Sequence, residues 1–239
     1  MSFDLPSESL LVRQSERLSA LRSRILRRLS IARLGPVLDL GAGHGAVVGE
    51  LVRRSRGPVV ALDRRLEPFR NVKSFAGALC VRGDGISLPF SDSVFAFVHL
   101  QLVFLWQKDP AALASEIVRV LHPGGSILAI EPDFGALMEW PESVALRGLW
   151  MHALERAGAD PRVGRKLPVL LSSLGLKVRV DLLNGTSEAD ADRFELLGGL
   201  PLTTEEQERL EVCRIEDKRL SGERKLVHLP YVFTSASRP

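Results

Sequence analysis

A short apolar run that passes directly into closely spaced glycines constrains this chain more than any other stretch. Val37–Leu40 reads as a strand, and Gly41-Ala42-Gly43-His44-Gly45 follows it at once. Apolar runs of this length are typical of the centre of a parallel sheet. The missing Cβ atoms allow a tight turn and let a ligand approach the backbone. A helix predicted from Ala46 would offer free N–H groups to an anionic group. The stretch is therefore predicted to hold a cofactor.

The glycine turn alone leaves the cofactor open. Gly41-x-Gly43-x-x-Ala46 fits the dinucleotide pattern G-x-G-x-x-G/A. Asp63 follows Gly43 by twenty positions, at the end of an apolar run. Its carboxylate can accept hydrogen bonds from a ribose. NAD and S-adenosylmethionine both contain a ribose, and a packing turn without a ligand is the third alternative.

Composition limits the class of protein. The chain has 239 residues, of which 45% are hydrophobic and 26% charged, as in a soluble protein with one sizeable core. No stretch approaches the roughly 18 apolar residues of a membrane span, and the N-terminus does not resemble a signal peptide. Cys80 and Cys213 lack the spacing of zinc ligands. We therefore expect a cytoplasmic protein with no metal site.

The N-terminal segment is rich in arginine, although the formal net charge of the chain is only +3. A basic cluster can bind nucleic acid. However, leucines and isoleucines recur among these arginines at helical spacing, and no aromatic residue lies among them to stack on bases. The pattern favours an amphipathic helix, or two short ones, whose arginines face solvent. We predict that residues 1–35 form a helical segment packed on a sheet, and that residues 36–239 form one domain.

Strand and helix patterns alternate after the glycine turn. Further strands are predicted at Val59–Leu62, Ala78–Val81, Val94–Leu100 and Ser126–Ile130, with helices over 46–54, over 66–72 and from Pro110 until Pro123-Gly124-Gly125. This rhythm predicts an α/β protein with a doubly wound parallel sheet. Ligands bind such sheets beyond the carboxyl ends of the strands. Polar residues predicted to converge there are Gly41–Gly45, Asp63, Asp84, Gln101, Glu131 and Asp133.

These motifs, in this order, resemble class I S-adenosylmethionine-dependent methyltransferases, in particular the branch that includes ubiquinone and menaquinone biosynthesis. The matching stretches are Val37–Gly45, Ala61-Leu62-Asp63, Gly83-Asp84-Gly85 with Leu88-Pro89-Phe90, and the long, specific Glu116–Gly125. The resemblance covers residues 35–135 well. One departure is Phe95-Ala96, where the family usually has Phe-Asp.

The resemblance implies a Rossmann-like, three-layer α/β/α fold with a seven-stranded sheet whose last strand is antiparallel. Gly164–Leu176 resembles the helix before strand six, and Leu226–Ser235 resembles strand seven. A polar, flexible link is predicted over 184–204, before a helix at 204–220. Residues 134–165 would form an acceptor-site insertion. Its expected apolar wall is Phe134, Leu137, Met138, Trp140, Leu149, Trp150 and His152, unless these pack on the sheet, and Arg147, Arg162 and Arg165 would meet an acidic group on the acceptor.

The resemblance also implies roles for single residues. Asp39 would hold the glycine turn or reach the amino group of the cofactor. Asp63 would accept both ribose hydroxyls, and Asp84 would accept from the adenine amino group. The cofactor-binding residues implied in this way are Asp39, Gly41, Ala42, Gly43, Gly45, Asp63, Arg64, Asp84, Gly85, Leu100 and Gln101.

Methyl transfer from a sulfonium is an in-line displacement, so alignment and water exclusion supply most of the catalysis. A base is needed only where the acceptor must lose a proton. Asp133 is the first candidate base, followed by His99, Glu131 and His44. The predicted function is transfer of a methyl group from S-adenosyl-L-methionine to an O, N or C atom of a small, partly apolar molecule.

Other functions remain open from the sequence. Arg64 and Arg65 would suit the 2′-phosphate of an NAD(P)-dependent oxidoreductase, although that class does not need the Gly83-Asp84 and Pro-Gly-Gly motifs. A protein that binds S-adenosylmethionine without turnover is a further alternative. RNA or protein acceptors also stay open, since a fold does not fix a substrate.

Overall fold

The computed structural model describes residues 6–65, 73, 75–183, 192–220 and 225–239. The first half of the chain alternates strands and helices as predicted. The strands are β1 (Val37–Leu40), β2 (Val59–Asp63), β3 (Ala78–Arg82), β4 (Phe95–Gln101) and β5 (Leu121–Pro132). The helices are α1 (Glu8–Arg28), α2 (Val48–Arg54) and α3 (Pro110–Val120). The helix predicted over 66–72 lies outside the described residues.

The second half adds elements around the acceptor-site insertion and at the edge of the sheet. Its strands are β6 (Met138–Trp140), β7 (Lys177–Leu182), β8 (Leu226–His228) and β9 (Tyr231–Ser237). Its helices are α4 (Arg147–Arg156), α5 (Val163–Ser173), α6 (Asp192–Gly198) and α7 (Thr204–Arg219). Short 3-10 turns lie at Phe104–Trp106, Phe134–Ala136 and Glu142–Val144.

Seven strands form one sheet in the order β3-β2-β1-β4-β5-β9-β7. β1 to β5 run parallel to one another, and β9 lies antiparallel between β5 and β7. The chain therefore has the predicted doubly wound sheet with an antiparallel last strand. The carboxyl ends of β1, β2, β3 and β4 meet at one edge of this sheet, where a ligand site is expected.

Apolar side chains cover both faces of the sheet. On one face, Leu21 and Ile25 of α1 pack with Phe97 and Phe233. On the other, Ile117 of α3 belongs to the core that contains Leu38, Val98 and Ile127. Alternation along the strands produces this division, and the result is the predicted three-layer arrangement. The division into a helical segment 1–35 and one domain 36–239 stays a prediction.

Two sequence-based predictions about the second half are wrong. Part of the link predicted over 184–204 is helical, because Arg193, Phe194 and Leu197 bury one face of α6; residues 184–191 lie outside the described residues. The single strand predicted over Leu226–Ser235 is two strands, β8 and β9. β8 pairs with β6 in a separate small sheet. Pro230 separates the two strands, and proline has no N–H with which to continue a ladder.

Within the described part of the chain, no helix combines the length and the apolar character that a membrane crossing requires.

Candidate functional site

A cavity of about 1130 Å³ lies at the carboxyl ends of β1 to β4. Small-molecule pockets measure about 300–1,000 Å³, so this cavity has room for a cofactor and a second molecule. Leu11, Gln14 and Leu18 of α1 form part of its wall. Its polar end contains most of the predicted site residues, namely Asp39, Gly41, Ala42, Gly43, Asp63, Arg64, Asp84, Gly85, His99 and Gln101.

The glycines of the turn serve different purposes. Gly41, Gly43 and Gly45 all have positive φ, at 74°, 50° and 77°. A Cβ on Gly41 would lie 2.5 Å from Cγ2 of Val103, so this glycine is required for packing. A Cβ on Gly43 would meet nothing within 4 Å. Gly43 therefore leaves an open cradle in the cavity wall, which fits a bound cofactor.

Asp63 fixes the shape of this cradle. Its Oδ2 accepts a hydrogen bond from the Gly43 N–H at 2.9 Å, and its Oδ1 accepts one from the Arg65 N–H at 2.9 Å. An ionised carboxylate has about four lone-pair sites, so both oxygens keep acceptor capacity for hydroxyl groups. The side chain thus joins β2 to the glycine turn while it lines the cavity.

The turn after β3 supplies the next predicted pair. Asp84 accepts a hydrogen bond from the Ile86 N–H at 3.3 Å and lines the cavity. A Cβ on Gly85 would lie 2.8 Å from Cδ1 of Leu113. Gly85 therefore lets the turn pack closely on α3. Arg64 also lines the cavity, and its carbonyl oxygen accepts a hydrogen bond from Arg82 Nε at 3.1 Å.

Asp39 and His99 form a buried pair between neighbouring strands. They lie in register on β1 and β4, and His99 Nδ1 donates to Asp39 Oδ1 at 2.7 Å. Asp63, and not Asp39, holds the glycine turn; the alternative role of Asp39, contact with the amino group of the cofactor, stays a prediction. His99 Nε2 is buried and has no hydrogen-bond partner among the described residues. Since the carboxylate accepts from Nδ1–H, Nε2 is the nitrogen left with a free lone pair.

Two predicted cofactor contacts do not lie in this cavity. Leu100 is fully buried in the core on the opposite side of β4 from His99 and Gln101, because side chains alternate along a strand. Gly45 lines a different surface depression and donates its N–H to the Ala42 carbonyl oxygen at 2.9 Å. Neither Leu100 nor Gly45 lines this cavity, and their contact with the cofactor stays a prediction.

Gln101 is oriented by an arginine that the sequence analysis placed in solvent. Arg22 is 3% exposed, and its Nη1 donates to Gln101 Oε1 at 2.9 Å, while its Nε donates to Glu50 at 2.8 Å. A guanidinium only donates, so the amide nitrogen of Gln101 remains as a donor. The signal for Arg22 was its position between Leu18 and Ile25 on the apolar stripe of α1.

The other arginines of α1 are exposed, as predicted, and three of them form ion pairs. Arg13 and Arg17 both form ion pairs with Asp192 at the start of α6, at 2.9 and 2.5 Å. Arg28 pairs with Asp181 on β7 at 2.6 Å. These contacts hold α1 against the rest of the chain and use basic side chains that a nucleic-acid surface would need.

The structure does not bring the first candidate base into the cavity. Asp133 does not line the cavity; its Oδ2 accepts from Arg165 Nε at 2.7 Å, and its Oδ1 is buried without a partner in the described part of the chain. The structure therefore shows Asp133 in an ion pair outside the cavity lining, and its role as a base stays a prediction. The same ion pair removes Arg165 from its predicted role at the acceptor.

Glu131 positions the loop that covers the glycine turn. Its carboxylate accepts N–H hydrogen bonds from Val103 and Phe104, both at 2.8 Å, and from Leu105 at 3.3 Å. Burial raises the pKa of Glu131 to about 7, while these three hydrogen bonds act in the opposite direction. Val103 is the residue against which Gly41 packs. Glu131 is thus a structural support for the turn.

The far end of the cavity is apolar, as predicted for the acceptor. Phe134, Leu137 and Trp150 line it, and the rings of Phe134 and Trp150 stack with centroids 4.7 Å apart. The rest of the predicted wall lies elsewhere. Met138 and Trp140 are 53% and 64% exposed. Leu149 packs on the core, and His152 faces Glu206 on α7.

The charged side chains at the apolar end belong to residues that were not among the predicted site residues. Arg147 and Arg162 do not line the cavity. Glu139 and Arg193 do, and Arg193 Nη1 donates to Glu139 Oε1 at 3.0 Å. Arg193 lies in the segment 184–204, which was predicted to be a polar, flexible link. The available signal was Arg193-Phe194 followed by Leu197, which is the spacing of one helix face.

Comparison with known proteins identifies the central region. Residues 38–129 match a family model described as a methyltransferase domain. A malonyl-(acyl-carrier protein) O-methyltransferase from Halorhodospira halophila is 34% identical over 142 residues, which are 56% of this chain and 46% of that protein. A demethylmenaquinone methyltransferase from Roseiflexus castenholzii is 32% identical over 146 residues, which are 56% of this chain and 59% of that protein.

The matches confirm the resemblance to class I methyltransferases in the region that they cover. The chain spans about half the length of the curated relatives that it matches. Among solved structures, geranyl diphosphate C-methyltransferase from Streptomyces coelicolor A3(2), in complex with S-adenosyl-L-homocysteine, superposes with a TM-score of 0.58 at 15% identity. That superposition covers 93% of this chain and 77% of the other, and it shows a shared fold.

Proposed function

We propose that this chain, which carries a methyltransferase domain over residues 38–129, transfers a methyl group from S-adenosyl-L-methionine to a small, partly apolar molecule. The observation that carries the proposal is the open cradle at Gly43, held by Asp63 in the wall of a cavity large enough for two ligands. The open space at Gly43 lies in the wall of this cavity, so a ligand there can approach the backbone closely.

The polar end of the cavity offers a suitable set of donors and acceptors. Asp63 would accept hydrogen bonds from the ribose hydroxyls, and Asp84 from the adenine amino group. Gln101 would donate its amide N–H groups to the carboxylate of the amino-acid part, since Arg22 occupies its oxygen. When bound, S-adenosyl-L-methionine supplies a methyl group on a positively charged sulfur, which is an activated leaving group.

The chain contributes mainly alignment and exclusion of water. α1 and the loop supported by Glu131 cover the cavity, and the stacked Phe134 and Trp150 give its far end an apolar wall. Where the acceptor must lose a proton, His99 is the base. Its Nε2 has a free lone pair, and Asp39 fixes the tautomer and would stabilise the imidazolium that forms.

The acceptor is inferred as small and partly apolar from the volume of the cavity and its apolar wall. Two relatives are named as methyltransferases of malonyl-(acyl-carrier protein) and of demethylmenaquinone. Both names are compatible with an acceptor that places an apolar or acyl part in such a pocket. We propose the chemical class and not either compound.

Calorimetric titration with S-adenosylhomocysteine, and with NADP in parallel, tests the cofactor. We expect micromolar binding of the first only. Asp63→Ala should weaken that binding by about 1–3 kcal/mol through lost hydrogen bonds to a charged group. The matched control is Asp92→Ala, because Asp92 is an exposed carboxylate paired with Arg119. Binding of NADP alone, or equal affinity in the folded Asp63→Ala protein, would overturn the assignment.

A further inference from the structure

A buried network of four charges supports the apolar end of the cavity. Arg193 donates to Glu139 at 3.0 Å and to Asp217 at 2.8 Å, and Lys225 donates to Asp217 at 2.9 Å. Each of these side chains is at most 10% exposed. The two positive and two negative charges of this network sum to zero. The network joins β6, α6, α7 and the residue before β8, and so it fixes Arg193 in place.

One donor of this network is left unused. The Nη1 and Nη2 atoms of Arg193 donate to Glu139, to Asp217 and to the Val144 carbonyl oxygen. Its Nε is buried and has no hydrogen-bond partner among the described residues, although Arg193 lines the cavity. A buried N–H of a charged group without an acceptor is costly. A ligand oxygen at this end of the cavity would remove that cost.

We propose that Arg193 Nε recognises the methyl acceptor by donating a hydrogen bond to a neutral oxygen, such as that of a ketone, an ester or a phenol. The inference rests on the proposed function, because it places the acceptor at the apolar end of the same cavity. The oxygen is neutral because the four charges already balance. A carboxylate would bring a third negative charge, without a counter-ion, among Leu196, Leu200 and Val227.

Three naphthalenes of nearly equal shape test this proposal. 2-Acetylnaphthalene carries a ketone oxygen, 2-isopropenylnaphthalene has a CH₂ group in its place, and 2-naphthoate carries a carboxylate. Their binding is measured by equilibrium dialysis against the whole chain, with and without saturating S-adenosylhomocysteine. We expect the ketone to bind about tenfold more tightly than either of the other probes, as one hydrogen bond to a charged group would provide.

Two variants assign the effect to Nε. Arg193→Lys keeps the positive charge beside Glu139 and Asp217 but has no Nε–H, so the preference for the ketone should disappear. Arg214→Lys is the matched control, because Arg214 also lies over the ring of Phe194, at 5.8 Å, and pairs with Glu211 outside the network. The control should retain the full preference.

Equal binding of the ketone and the alkene to the unmodified protein, or no binding of the ketone, would overturn the proposal. Tighter binding of 2-naphthoate would overturn the neutral class of acceptor. These results come from the unmodified protein, so they decide the matter even where Arg193→Lys fails to fold. Failure of the proposed function would appear separately, as absence of S-adenosylhomocysteine binding, while dialysis without that ligand still ranks the probes.

Discussion

Gly43→Ala tests whether the glycine turn is a cofactor cradle or only a packing device. Gly43 has a φ of +50° and no atom within 4 Å of an added Cβ. A left-handed backbone conformation at alanine destabilises the folded state by about 1–2 kcal/mol. The reduced conformational freedom of the unfolded chain offsets about 0.4–1 kcal/mol of this loss. With no clash to add, we expect the free energy of unfolding to fall by only about 1 kcal/mol.

Cofactor affinity should respond more strongly than stability. The new methyl group would occupy the open space at the wall of the cavity, where a ligand must approach the backbone. Inserting one methyl group into a packed contact costs about 1–3 kcal/mol, so the dissociation constant of S-adenosylhomocysteine should rise by roughly five- to 150-fold. Urea unfolding measures the first quantity, and calorimetric titration of the folded variant measures the second.

Gly175→Ala is the matched control for this experiment. Gly175 has a φ of +81°, meets nothing within 4 Å of an added Cβ, and does not line the cavity. It should lose the same stability, about 1 kcal/mol, without any change in affinity. If Gly43→Ala binds S-adenosylhomocysteine as tightly as the unmodified protein, the turn does not hold the cofactor and the reasoning fails.

Two more predictions concern buried titratable groups. Burial raises the pKa of Glu131 to about 7 from its ordinary value of 4.5. Between these two values the folded protein keeps a proton on Glu131 that the unfolded chain releases. The free energy of unfolding therefore falls as the pH rises through this window. Relative to Glu131→Gln, the unmodified protein should therefore lose unfolding free energy between pH 5 and pH 8 in urea titrations; parallel curves would contradict this. With an acceptor that must lose a proton, His99→Gln should lower kcat by about 10²–10⁴, measured by release of S-adenosylhomocysteine, with cofactor affinity unchanged. An unchanged kcat would exclude His99 as the base.

Local sequence patterns were sufficient to predict which residues meet at the polar end of the cavity. The positions of Gly43, Asp63 and Asp84 follow from the ends of parallel strands, because all such ends meet at one edge of the sheet. The start of α3 at Pro110 was also predicted correctly, and the side chain of the preceding Asp109 accepts from the Ala112 N–H. In each case the residue and its structural partner lie in one short segment or in directly paired strands.

Three of the errors arose where partners come from distant parts of the chain. Asp133 follows β5 as expected for a site residue, but Arg165, 32 positions away, takes its carboxylate. The partner of Arg22, Gln101, is 79 positions away. Glu139 and Arg193 are 54 positions apart. Long-range ion pairs of this kind have no periodic signature, and composition suggests that charged residues face solvent.

The polar and apolar ends of the cavity therefore depend on different parts of the chain, so substitutions can change one end without changing the other. The cradle depends on backbone geometry at Gly43 and on one carboxylate, Asp63, which accepts from the Gly43 and Arg65 N–H groups. We therefore expect substitutions in α4, α6 or β8 to leave the cradle in place. The acceptor end is assembled from those later elements, and Arg193 is held there by side chains from β6 and α7. Substitutions in this network would alter which molecule is bound while leaving the cofactor end intact. This separation is the physical reason why the match of residues 38–129 to the model of a methyltransferase domain does not by itself identify the acceptor.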